Sequence, residues 1–166
     1  MPTAHDVARA IRELVPSAGR VKVQKLLYYC QGWHLAFTGQ QMFPEEIEAW
    51  DLGPVIAEIY RSDKYKGPVP PPAELDDATI RTVSWVASRY GALTASDLVT
   101  LSHDAEGPWK ATRDAYGPNA AISLDAMTEW FSRELSNRDH IEEDLVDQSG
   151  TDELPELLRL LGELTR

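Results

Sequence analysis

Lys22-Val-Gln-Lys25-Leu-Leu-Tyr-Tyr-Cys30-Gln-Gly-Trp-His-Leu35 is the most apolar part of the chain, and its reading decides the fold. It lies within a helical pattern covering about 21–38, with Gly39 placed to stop it. At 100° per residue, Val23, Leu26, Leu27, Cys30, His34 and Phe37 fall within one stripe about 100° wide. Tyr28, Tyr29, Trp33 and Leu35 spread round the remaining surface. A helix that is apolar nearly all round is a central one, packed from several sides. On that stripe His34 reads as a hydrogen-bonded core histidine. Cys30 reads as a small buried hydrophobe.

Working outward, Asp6 reads as the cap of a helix carrying Val7, Ala10, Ile11 and Leu14, ended by Pro16 and Gly19. Glu46-Ile-Glu-Ala-Trp50 alternates weakly and is either a strand or an ordered loop. Gly53-Pro54 reads as a helix start with Val55, Ile56, Ile59 and Tyr60 on its inner face, since proline suits a first turn. Lys66-Gly-Pro-Val-Pro-Pro-Pro72 is a stiff linker. Asp76 or Asp77 then caps a helix of Ile80, Val83, Ala87 and Tyr90, closed by Gly91. Thr94-Ala-Ser-Asp97 is a capping box for a helix with Leu98 and Leu101. Gly107-Pro108-Trp109 opens a short turn. Ser123 caps a longer helix with Leu124, Met127, Phe131 and Leu135, interrupted at 137–139.

Residues 147–152 read as a polar hinge. Beyond it Leu154, Leu157, Leu158, Leu160, Leu161 and Leu164 make a leucine stripe on a helix too short to be stable alone. That helix must dock on its own domain, a twin subunit or another protein, and a groove on a partner or second subunit is the expected seat. The fold class is therefore mainly α. One compact helical domain over 1–148 has at most a short extended segment near 46–50. A hinge and amphipathic helix follow over 149–166.

The 166 residues, 43% apolar and 26% charged, are ordinary for one globular domain. No stretch is long and apolar enough for a membrane span, and no signal peptide is visible, so the cytoplasm is the expected address. One cysteine excludes an intramolecular disulfide. The net charge is −11 but uneven. Residues 1–40 hold five cations against two acids, a balance of +3, and the rest carries −14. Nucleic-acid binding needs a basic footprint, so direct binding to DNA or RNA is not expected. An acidic surface suits a basic protein partner.

Catalytic patterns are weak. Ser102-His103-Asp104 is a triad in composition only, because adjacent residues point in different directions. His34, His103, Asp104 and Glu106 have no metal-site spacing, and phosphate-binding glycine loops are absent. No enzyme, metal or cofactor is expected. The aromatic residues beside turns, Trp33, Trp50, Tyr60, Tyr65 and Trp109, either fill a small core or anchor an interface.

The central stretch, followed by Gly39, Phe43, Glu46, Ile47-Glu-Ala-Trp50, Gly53-Pro54-Val55 and Tyr60, resembles the Panacea antitoxin domain of SocA-like antitoxins, also found in phage-associated proteins. Leu101-Ser-His103-Asp-Ala-Glu-Gly-Pro108-Trp109 is similar to the family's second block, and the likeness covers about 6–135. It implies a mostly helical antitoxin that neutralises a cognate protein toxin by direct contact. The alternative is a proteolytic adaptor that delivers its client toxin to a bacterial protease. Expected partner-binding residues are Trp50, Gly53, Pro54, Tyr60 and Trp109, joined by Leu154, Leu157, Leu158, Leu161 and Leu164 of the tail.

Overall fold

The computed structural model describes residues 1–149, with side chains described to residue 138. Its elements are α1 (Ala4–Leu14), α2 (Arg20–Thr38), β1 (Glu48–Trp50), β2 (Gly53–Val55), α3 (Ala57–Tyr65), α4 (Asp77–Tyr90), α5 (Ala95–Ser102), α6 (Pro108–Tyr116) and α7 (Leu124–Ser149). Among the described residues the fold is mainly α, with one two-stranded antiparallel sheet. No described helix is long and apolar enough to cross a membrane.

Helix α2 is the axis of the domain. Every residue from 23 to 35 is buried, and α7, α4, α1, α5 and β2 all pack on it. Of the sequence-read stripe only Phe37 departs: it is 40% exposed, stacked beside Trp33. The His34 ring nitrogen Nδ1 meets the Thr82 hydroxyl at 2.8 Å, and burial lowers its pKa. Cys30 is fully buried. Gly32 has a separate reason to be glycine. The Phe131 ring of α7 lies where a Cβ would sit, with a nearest ring carbon 2.1 Å away. That ring is caged by Tyr28, Tyr29, Trp33 and Trp130, at centroid distances of 5.5, 6.1, 5.2 and 4.8 Å.

Buried polar side chains on α2 order the irregular chain around it. The Gln31 amide donates to Phe43 O at 2.8 Å and accepts from Met42 N–H at 2.6 Å. Gln24 does the same for one residue, accepting from Ile56 N–H at 2.9 Å and donating to Ile56 O at 3.2 Å. One glutamine thus bonds both main-chain groups of the residue that caps α3, whose carbonyl also accepts from Tyr60 N–H at 3.0 Å.

At the first helix the cap is Thr3, not Asp6. Asp6 is its partner in a capping box, three residues on. Its carboxylate also accepts from Ala73 N–H at 3.0 Å, fastening the proline-rich linker to α1. Burial pushes this carboxyl up, but bonds from Ala73 and Thr3 N–H, the Thr3 hydroxyl and Arg9 outweigh it and hold it at about 2. A depressed carboxylate pKa stabilises the fold above the unfolded value, 3.8. That stabilisation, about 2 kcal/mol by the usual 1.36 kcal/mol per unit, is lost as pH falls from about 4 to 2. Acid titrations of stability should therefore show a step in that window which Asp6→Asn removes. An unchanged step in the variant would mean that other carboxylates carry it.

Further sequence readings are corrected or decided. Gly53-Pro54 does not start a helix: it forms β2, paired Ala49↔Pro54 and Trp50↔Gly53, and α3 begins only at Ala57. Asp51-Leu52 is a two-residue turn, and Gly53 leaves it at φ 116°, a conformation that favours glycine. Glu46-Ile-Glu-Ala-Trp50 contributes a true strand, whose other edge takes the 119–122 segment through Ala49 N–H to Ala120 O and Ile122 N–H to Ile47 O, both 2.8 Å. Helix α7 is not interrupted at 137–139, and it continues through 147–149, the first part of the expected hinge. The Gly107-Pro108-Trp109 turn grows into a nine-residue helix with proline in its first turn. The leucine stripe from Leu154 to Leu164 lies outside the described residues.

Candidate functional site

A cleft of about 670 Å³ opens between the start of α2, the hairpin and α3. Its apolar walls are Val21, Val55 and the hairpin-tip Leu52, which is 65% exposed. Trp50 and Tyr60 form an aromatic corner, edge to face at 5.0 Å, with Tyr60 39% exposed. Lys64 lies 5.6 Å from the Tyr60 ring and 5.4 Å from that of Tyr65.

The wall is braced from behind. Trp109 of α6 is only 7% exposed, and its indole N–H donates to Trp50 O at 2.8 Å. Arg113 donates to Ala49 O at 2.9 Å and to the Asp51 carboxylate at 2.8 Å. His103 faces Asp51 O at 3.2 Å and packs its ring on Trp109. Trp109 thus supports the hairpin from inside rather than presenting itself at the surface. Gly53 and Pro54 are buried behind the cleft wall. A Cβ on Gly53 would come 2.9 Å from Lys25 Cε and from Ser102 Oγ, so close approach as well as φ requires glycine.

Lys25 borders the cleft and is the residue that reading the sequence missed as a site candidate. It is 1% exposed, and its ammonium donates to Pro54 O at 3.0 Å. Burial pulls its pKa down to about 8. The signal was present in the sequence: a lysine in the middle of the most apolar helix. Among the described residues no carboxylate reaches ion-pair distance of Lys25, of Arg20 or of Lys64, all three at the cleft. The two acids there are taken: Asp63 by Arg12 at 2.8 and 3.1 Å, Asp51 by Arg113. In a chain of net charge −11 this cleft is a local cationic exception.

Ser102 Oγ lies 3.5 Å from His103 Nδ1, but the Asp104 carboxylate turns to Glu106 N–H, so the three form no relay. Ser102 Oγ donates to Val99 O at 2.9 Å, His103 turns its ring nitrogens to the carbonyls of Val99 and Asp51, and the Asp104 carboxylate accepts from Glu106 N–H at 2.9 Å. Among the described residues no three His, Cys, Asp or Glu side chains gather as a metal site requires. The structure therefore brings Trp50 and Tyr60 together at one opening, sets Gly53, Pro54 and Trp109 behind it, and adds Lys25.

A helical domain with an aromatic, cation-bearing cleft has the makings of a protein-binding module. Residues 23–110, just over half of the chain, match the family model described as antitoxin SocA-like, Panacea domain. The chain belongs to this family. It is also 30% identical to Antitoxin SocA of Caulobacter vibrioides (strain NA1000 / CB15N), over 61% of this chain and 63% of that protein. The alignment thus spans somewhat less than two thirds of the relative's own length. No solved structure matches the chain.

Proposed function

We propose that this protein is the antitoxin of a toxin–antitoxin pair and neutralises a cognate protein toxin by direct binding, without catalysis, in the cytoplasm. The observation that carries this reading is the cleft beside the hairpin, in a chain of an antitoxin family. Leu52, Val21 and Tyr60 offer apolar surface at its mouth, and Trp50 gives the opening a fixed aromatic wall. Aromatic anchors held rigid in this way carry a large share of binding energy in protein interfaces. Residues 1–148 are the binding domain in this reading, and the leucines Leu154, Leu157, Leu158, Leu161 and Leu164 of the tail are a second contact.

The test is co-expression with the product of the reading frame beside this gene. The unaltered chain should rescue cells from that product and co-purify with it. Leu52→Asp and Tyr60→Ala should each weaken the complex about tenfold or more, because a contact worth 1.4 kcal/mol is a factor of ten. Their melting temperatures should stay close to that of the unaltered chain, since both side chains are substantially exposed. Full rescue by both variants would remove the cleft from the neutralising surface. A chain lacking residues 150–166 tests the tail separately by the same rescue.

A further inference from the structure

We infer that the ammonium of Lys25 receives a carboxylate of the bound toxin, inserted between α2, the hairpin and α3. This rests on the reading that the protein binds a protein toxin through this cleft. The geometry gives the reason. An ammonium has three donors, and the acceptor Lys25 finds among the described residues is the carbonyl of Pro54. A buried cation ordinarily has an anionic partner, because desolvation is otherwise uncompensated. Here the two nearby acids, Asp51 and Asp63, are already committed to Arg113 and Arg12.

Two further observations favour a carboxylate over other anions. Among the described residues Arg20 and Lys64 border the same cleft without acidic partners, so the local field favours an incoming negative charge. The cleft walls Val21, Leu52 and Val55 are apolar and suit a charged group carried on an alkyl stem. The acceptor is an Asp or Glu side chain or the C-terminal carboxylate of the toxin. The surrounding acidic surface of the domain is left to attract basic parts of the same partner.

Complexes of the full chain with the product of the adjacent reading frame provide the test. Lys25→Met should weaken binding about tenfold or more, as loss of a charge-assisted bond at a desolvated site does. Its melting temperature should not fall. In the unaltered complex, a water-soluble carbodiimide should join Lys25 to the toxin by a zero-length amide, formed from ammonium and carboxylate with loss of water. Mass spectrometry of the joined peptide then tells a side-chain carboxylate from a C-terminal one. Wild-type affinity in Lys25→Met overturns the inference. So does a Lys25 amide to the chain's own 150–166 tail, or none at all in a complex that forms. Should Lys25→Met fail to fold, the crosslink on the unaltered protein decides. A different result, no complex from the unaltered chain, would remove the proposed function itself and the inference with it.

Discussion

Gly32→Ala should lower the melting temperature, by up to about 10 °C, although alanine is the better helix former. In an open helix the exchange gains about 0.5–1 kcal/mol. Here the new methyl would meet Phe131 ring carbons at 2.1–2.4 Å. The ring cannot turn aside, because Tyr28, Tyr29, Trp33 and Trp130 surround it. Overpacking of this kind costs about 1–3 kcal/mol and sometimes more, and each kcal/mol moves the midpoint of a domain this size by about 2–4 °C. Combining Gly32→Ala with Phe131→Leu should recover part of the loss, because the smaller side chain clears the methyl. A Gly32→Ala midpoint at or above that of the unaltered chain would show that the α2–α7 seam is looser than described.

Lys25→Met should stabilise the free protein at neutral pH. The folded pKa of about 8, against 10.5 for an ordinary lysine, measures how strongly the fold disfavours the charge. At 1.36 kcal/mol per unit the unfavourable contribution is about 3 kcal/mol. The lost bond to Pro54 O offsets about 1 kcal/mol of the gain. Below pH 8 the lysine is protonated in both states and the whole penalty is present. Between about 8 and 10.5 the unfolded chain binds more protons, so stability rises with pH; above that range both states are neutral. The difference between the two proteins should therefore shrink as pH climbs through this window. A constant difference from pH 7 to 10.5 would contradict the burial of the ammonium. Greater stability with weaker toxin binding is a combination that a purely structural lysine would not give.

The central helix was legible in the sequence because apolar residues on every side have few alternatives to burial. Capping boxes were legible too, being local chemistry: Thr94 with Asp97 was read correctly, and Thr3 with Asp6 was shifted by three residues only because Asp6 can itself cap. Gly53-Pro54 was not legible. The same dipeptide suits a helix start and the exit of a hairpin turn, and what decides is the approach of Lys25 and Ser102 from distant elements. The site divides in the same way. Trp50 and Tyr60 stood out as aromatics beside turns, but the inward direction of Trp109 depends on its bond to Trp50 O. Lys25 was counted only as one cation among the five of residues 1–40, because composition carries no depth.

The all-round burial of α2 also bears on what could be moved between proteins. The family match begins at residue 23 and ends at 110, so it omits α1, the first turn of α2, most of α6 and all of α7. Yet Val7 and Ile11 of α1 and Phe131 of α7 belong to the same buried cluster as Leu26, Leu27 and Trp33. Cutting at the matched boundaries would strip two sides from the axis of the domain and leave the seat of Phe131 empty. The smallest transplantable unit therefore runs from the Thr3 cap through the turns of α7 that carry Phe131 and Arg138, whose guanidinium lies 5.0 Å from the Trp33 ring. A graft onto another protein would have to join outside both ends.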